Sequence, residues 1–204
     1  MTNYVVIDME MCRVPRHKKC KEYPCTSEII QIGAVLLDEQ YQIISEFITN
    51  IKPQYGEIDP FIEKLTGIRR RDVFDAPYLS QAMQAMFDWI EGREVCFISW
   101  SFTDRDVIRR ECTVKGILND ALTQYLEGWG DCQKTFSDKM GVNRQYSLSE
   151  ALVLCDLEFD ENIHNALTDA KNTALLFEKL QTEQELVLNS YFVREEEGAD
   201  QRYI

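Results

Sequence analysis

The stretch Tyr4-Val5-Val6-Ile7-Asp8-Met9-Glu10-Met11 decides how the rest of the chain is read. Its apolar half, Tyr4 to Ile7, reads as a short buried strand. Asp8 and Glu10 follow two residues apart, so an extended backbone sends both carboxylates to one face. At the end of a strand they occupy the place where open α/β sheets hold ligands. Two like charges this close are costly unless a cation neutralises them. Hard cations such as Mg²⁺ or Mn²⁺ take oxygen donors of this kind. The D-x-E pattern is common, however, and taken alone is better explained as two acids on a solvated strand end.

The pattern around this stretch extends the reading. Ile29 to Leu37 is a long apolar run with an internal glycine, which suits a central strand. Asp38-Glu39-Gln40 reads as a turn, and Ile43 to Ile51 as the partner strand with Ile43, Phe47 and Ile51 on one face. These segments predict an antiparallel strand–turn–strand unit. Arg13 to Pro24, polar and basic, reads as a loop. Phe61 to Thr66 predicts a short helix closed by Gly67. Pro77 to Ile90 predicts another, with Pro77 at its first position. Glu94 to Trp100 reads as a buried strand, and Asp106 to Val114, Cys132 to Met140 and Leu148 to Cys155 as helices. Ala166 to Leu180 is the clearest helix, with an apolar stripe of Ala166, Ala170, Ala174 and Phe177, and with room to run past Glu183. A hairpin-like run followed by strands alternating with helices predicts an α/β or α+β class with a mixed sheet. No repeat or linker divides the chain. Residues 1–190 read as one domain and 191–204, with Glu195-Glu196-Glu197, as a solvated acidic tail.

Composition narrows the function classes. The 204 residues are 45% hydrophobic, enough for one domain with a sizeable core. A net charge of −13 argues against sequence-independent adhesion to nucleic acid, which needs a positive surface. A chain this acidic that acts on nucleic acid needs local positive charge, from metal ions or from a basic loop. The seven cysteines are odd in number and irregularly spaced. The N-terminus shows no basic segment of the kind that opens a secretory signal. Both facts predict reduced thiols in a cytoplasmic protein. No apolar run approaches membrane-spanning length. Cys12, His17, Cys20 and Cys25 raise the question of zinc, but their spacing does not fit common structural sites, and free thiols are expected.

Two further acidic positions stand out. Asp104, in Ser99-Trp100-Ser101-Phe102-Thr103-Asp104, follows a predicted strand and opens a helix; it also fits a simple N-cap, and Asp106 competes with it. In His164-Asn165-Ala166-Leu167-Thr168-Asp169, a histidine approaches a helix whose first turns hold an aspartate near the positive end. Histidine's near-neutral pKa suits proton abstraction from water. The plainer reading is an exposed loop histidine with a dipole-favoured aspartate, and the isolated H-x-x-x-x-D spacing is only moderately specific.

The combination, D-x-E, then D, then H-x-x-x-x-D, resembles the DEDDh exonucleases of the RNase H-like (DnaQ-like) superfamily over Tyr4 to Leu180. Ser27 to Val35 is similar to the family's second strand, and Lys64-Leu65-Thr66-Gly67-Ile68 to the segment that meets the terminal nucleotide. Ser99 to Asp104, with Glu111-Cys112, resembles the second motif of the branch that trims RNA 3′ ends, which bacterial sporulation-inhibitor-like nucleases share. That register favours Asp104 over Asp106. Ser101 stands where the branch often has glycine, and Met9 and Met11 where smaller residues are frequent.

The resemblance implies an RNase H-like fold, a central mixed five-stranded sheet flanked by helices. It implies a 3′→5′ exonuclease that hydrolyses the terminal phosphodiester of single-stranded nucleic acid, RNA favoured, and releases nucleoside 5′-monophosphates. It implies two divalent cations, Mg²⁺ or Mn²⁺, held by Asp8, Glu10, Asp104 and Asp169, with His164 as general base and Met11, Leu65, Thr66, Glu10 and His164 at the substrate end. Asp8 would bridge both ions. The loop residues Arg13, Arg16, Lys18, Lys19 and Lys21 would either touch the substrate backbone or be solvated, and Arg69-Arg70-Arg71 is a second basic candidate. Three other readings stay open: a non-catalytic binding protein on the same fold, a hydrolase of small phosphodiesters, and a regulatory partner protein.

Overall fold

Strand β1 (Asn3–Arg13) runs well past the predicted Tyr4–Ile7. The computed structural model, which describes residues 2–160 and 164–189, shows why. Strand β4 (Val95–Ser99) pairs in parallel with β1 only from Asn3 to Val6. Strand β2 (Ser27–Leu37) pairs antiparallel along the whole of β1, from Tyr4↔Leu37 to Arg13↔Ser27. Asp8 and Glu10 are therefore inside a strand rather than at its end. They lie beyond the point where β4 stops, which leaves that side of β1 open to other groups.

Strand β3 (Ile43–Asn50) pairs antiparallel with β2, and β5 (Gly130–Asp131) pairs in parallel with β4. The order β3-β2-β1-β4-β5 gives the expected mixed five-stranded sheet. Between the strands lie α1 (Pro60–Thr66), α2 (Arg70–Phe74), α3 (Leu79–Ile90), α4 (Phe102–Val114) and α5 (Asp120–Glu127). They are followed by α6 (Cys132–Met140), α7 (Leu148–Leu154) and α8 (Ala166–Thr182). No described helix is long and apolar enough to cross a membrane. The tail over 191–204 lies outside the described residues.

Strand alternation sorts the core into two layers. Val5, Ile7 and Met9 pack with Leu79, Met83 and Met86 of α3 and with Ile108 of α4. Val6, Val35 and Leu37 pack on the other face with Phe136 of α6 and with Leu176 and Phe177 of α8. Asp8 and Glu10 share the parity of Val6, so they face the layer that contains α8.

Gly33 is what lets α8 reach them. It pairs with Asp8 across the β1–β2 ladder. A Cβ at Gly33 would lie 2.1 Å from the Leu167 nitrogen and 2.2 Å from the Ala166 carbonyl carbon. Both are backbone atoms and cannot step aside, so only glycine allows this approach. Gly33→Ala should therefore lower stability by about 3 kcal/mol, the upper range for overpacking, measured as the urea midpoint. An unchanged midpoint would contradict the close contact.

Other differences from the sequence reading have local causes. Helix α3 begins at Leu79 and not at Pro77, because the Pro77 carbonyl accepts the Lys52 N–H (2.9 Å) and the Tyr78 N–H is taken by the Gln81 side chain (3.0 Å). Helix α4 starts at Phe102, four residues earlier than the apolar spacing indicates, because Ser101 caps it. Helix α8 ends at Thr182 and does not run past Glu183. Ile43 is 40% exposed because β3 is an edge strand, whereas Ile51, beyond its end, is fully buried. Within the stretch Arg13 to Pro24, Tyr23 is fully buried and stacks on Tyr55 at 4.3 Å, so the loop is anchored to the body.

Candidate functional site

The strand geometry fixes the first two carboxylates, and two helix ends bring the others to them. Ser101 caps α4 by accepting the Thr103 N–H, which places Asp104 in the first turn, beside the positive end of the helix dipole. Asp104 is buried, at 7% exposure, and accepts backbone N–H bonds from itself and from Met9. The second bond ties α4 to β1 just beyond the end of β4. Asp106 is elsewhere: its side chain is 61% exposed and paired with Arg105 at 2.9 Å. Burial thus separates two aspartates that the sequence alone left in competition.

At the start of α8, the Asn165 side chain accepts the Thr168 N–H, and the Ala166 N–H goes to the Gln31 side chain at 3.1 Å. Asp169 projects from the first turn. One of its oxygens accepts the His164 backbone N–H at 2.9 Å. His164 holds a positive φ of 65°, a conformation that costs a non-glycine residue free energy and turns the chain into the helix. Ligand atoms of Glu10, His164 and Asp169 all lie within 4.8 Å of one another.

The electrostatics report the crowding. Burial holds Asp8 well above the usual carboxylate range, and the charges of Asp104, Asp169 and Glu10 add to the effect. Burial, then Asp169 and Asp104, pushes Glu10 up to about 7. Asp104 is also pushed up to about 7, mainly by burial, although its two backbone hydrogen bonds oppose the shift. Asp169 is raised by burial and eased by the His164 N–H. Four oxygen-donor side chains that repel one another, with an imidazole beside them, match the donor preference of a hard divalent cation. The residues present fit such an ion, and an acidic group able to hold a metal is in place.

Around this cluster, Gln31, Asn50, Lys64, Leu65, Thr66 and His164 are among the residues lining a cavity of about 560 Å³. Leu65 is exposed, whereas Thr66 is buried with its hydroxyl bonded to the Ile62 carbonyl and the Ile68 N–H. The Met11 side chain packs against the α3-side core, so only its backbone borders the Glu10 face. In the basic loop, Arg13 lies over the Phe61 ring at 4.9 Å and Lys18 pairs with Glu57 at 2.8 Å, while Arg16, Lys19 and Lys21 are exposed. Arg69 and Arg71 pair locally with Glu63 and Asp72, and Arg70 bonds the Ile58 carbonyl. All seven cysteines are free: Cys12 packs with Ile30 and Ile62, Cys25 with Tyr23, and Cys20 is exposed. Gln31 and Asn50 belong to no motif that the sequence displays. The signal for Gln31 was there, a single polar side chain inside an apolar strand.

Comparison with known proteins places this geometry in a family. Residues 5–177 match the RNase T exonuclease family model. The chain is 31% identical to ERI1 exoribonuclease 2 of Homo sapiens over 180 residues, covering 76% of this chain and 25% of that protein. It is 25% identical to the 3′-5′ exonuclease Snipper of Drosophila melanogaster, covering 76% of this chain and 61% of that one. The chain thus spans about a quarter to a third of the ERI1 exoribonuclease 2 relatives (25% in the human and 32% in the Danio rerio protein). Among solved structures it is similar to the nuclease domain of 3′hExo, a DEDDh family member bound to rAMP. That match has a TM-score of 0.76 at 22% identity and covers 92% of this chain and 96% of that one. It also resembles cell-death related nuclease 4, with a TM-score of 0.74 at 19% identity over 92% of this chain and 66% of that one.

Proposed function

The chain belongs to the RNase T exonuclease family, and from that premise we propose that it removes nucleotides one at a time from the 3′ end of single-stranded nucleic acid, RNA in preference to DNA. The products are nucleoside 5′-monophosphates. The observation that carries this reading is the convergence of Asp8, Glu10, Asp104 and Asp169 with His164 on one face of the sheet, each carboxyl held above its ordinary pKa. The preference for RNA rests on the relatives, several of which are named exoribonucleases.

Asp8, Glu10, Asp104 and Asp169 would hold two divalent cations, Mg²⁺ or Mn²⁺. When bound, such ions stabilise charge on the attacking and leaving oxygens of an in-line displacement. His164 takes the proton from the attacking water. Its backbone N–H holds Asp169 in orientation meanwhile. Leu65 gives the terminal nucleotide an apolar wall, and the backbones of Met11 and Thr66 meet its sugar. The chain's net charge of −13 then stops being an obstacle, because the scissile phosphate meets a locally neutralised cluster.

The test uses 5′-labelled single-stranded RNA and DNA of equal sequence with Mg²⁺, Mn²⁺ or EDTA. A ladder shortening from the 3′ end is expected, faster on RNA and absent in EDTA. Internal cuts would overturn the directionality. Binding without shortening would favour a non-catalytic protein, and fast turnover of a small phosphodiester beside slow trimming would favour a different hydrolase.

A further inference from the structure

We infer that Gln31 is a positioning residue that sets the height and register of the α8 N-terminus against Glu10, and so the spacing of Glu10, His164 and Asp169. Its kinetic arm rests on the exonuclease reading; its metal-binding arm does not.

Gln31 is the one polar side chain in the run Ile29 to Leu37, and it is 5% exposed. A buried amide is costly unless its groups are bonded. Both ends are in use. Oε1 accepts the Ala166 N–H at 3.1 Å, and Nε2 donates to Asn50 Oδ1 at 2.9 Å. Asn50 Nδ2 in turn donates to the Asp72 carbonyl at 3.2 Å. The ladders place these residues in one row across the sheet: Glu10 opposite Gln31 on β2, and Gln31 opposite Asn50 on β3. A chain of hydrogen bonds therefore runs from α2 through two strands to the first residue of α8.

Ala166 carries one of the N–H groups that a helix start cannot satisfy internally. Its acceptor here comes from the strand beside Glu10, not from the Asn165 cap, which serves Thr168. His164 lies two residues before this tie and Asp169 three after it. Gly33 permits the close approach, and Gln31 fixes where along the sheet it happens. Although Gln31 borders the cavity beside His164, its amide is already committed, so it acts through α8 rather than on a substrate. A site whose donor atoms sit within 4.8 Å of one another is sensitive to sub-ångström shifts of its support.

The test titrates Mn²⁺ into the full chain by electron paramagnetic resonance, without substrate. Gln31→Met removes the acceptor at similar volume. It should weaken Mn²⁺ binding by about 10–100-fold, the usual effect of removing a residue that orients a ligand, and expose the Ala166 amide to fast hydrogen exchange. In the oligonucleotide assay kcat should fall with it, while KM stays within about threefold. Gln31→Glu keeps an acceptor for Ala166 but gives up the amide donor to Asn50 Oδ1, so it should restore slow exchange at Ala166 and recover only part of the Mn²⁺ affinity. If Gln31→Met does not fold, Asn50→Ala carries the test: it frees the Gln31 amide to rotate and should weaken Mn²⁺ binding in the same direction. A Gln31→Met protein that melts earlier but keeps wild-type Mn²⁺ affinity and kcat overturns the inference, as does a Gln31→Glu protein no better than Gln31→Met, or an Asn50→Ala protein with unchanged affinity. A wild-type chain that binds Mn²⁺ without shortening oligonucleotides would overturn the exonuclease reading and leave the Mn²⁺ comparison to decide this one.

Discussion

Asp8→Asn should abolish most activity and, in EDTA, raise the melting temperature. The two effects have one cause. Asp8 is held well above the usual carboxylate range by burial and by three neighbouring carboxylates, so without a cation its charge opposes folding. Asparagine keeps the shape and removes the charge. A gain of ~1 kcal/mol corresponds to ~2–4 °C in a chain of this size. With cations the same change removes a carboxylate that the proposed mechanism assigns as a ligand. Metal-ion catalysis supplies several kcal/mol of charge stabilisation, so kcat should drop about 10³-fold or more. Opposite signs in stability and activity mark a residue kept for function. Equal losses in both would make Asp8 a structural residue.

The same charges set a pH dependence. Glu10 and Asp104 have folded-state pKa values raised to about 7 from ordinary values of 4.5 and 3.8. A group raised in the folded state binds its proton more tightly there. Its contribution to stability is complete below the ordinary value and lost as pH climbs through the folded value. Wild-type protein in EDTA should therefore lose stability between about pH 5 and pH 8, and saturating Mn²⁺ should remove most of that slope by replacing the protons. Asp8→Asn should flatten the EDTA slope. Asp106→Asn, on an exposed group paired with Arg105, should leave the slope and kcat within about twofold of wild type, as for most surface changes.

These cases show which parts of the site a single sequence can reveal. The carboxylate spacing of Asp8 and Glu10 and the approach of His164 to α8 are local patterns, and local patterns survive folding. The length of β1 is not local. Two acids look like the end of a strand, yet the ladder to β2 carries the strand to Arg13 without help from β4. The choice between Asp104 and Asp106 depends on burial, which the helix cap at Ser101 decides by setting where α4 begins. Strand β5 has two residues, too few for any periodicity to show. Gln31 was visible as an odd residue in an apolar run, but its meaning depends on Ala166, 135 positions away.

His164→Asn should cost kcat about 10²–10⁴-fold, the usual share of a general base, with the oligonucleotide KM nearly unchanged. The choice of asparagine matters. His164 occupies φ 65°, which asparagine tolerates and alanine resists. Alanine would strain the turn that delivers the backbone N–H to Asp169, and its effect would mix lost chemistry with a displaced ligand. Asparagine keeps the turn and removes only the imidazole. The Mn²⁺ titration then separates two roles for a side chain that lies within reach of both Glu10 and Asp169. If His164 is a base, Mn²⁺ affinity stays within about threefold of wild type while kcat collapses, and free imidazole restores part of the rate. If it is a ligand, affinity and rate fall together, and proton abstraction must be assigned elsewhere. His164→Ala should show the same kinetic loss plus a lower melting temperature, because the left-handed turn alone costs about 1–3 kcal/mol to hold.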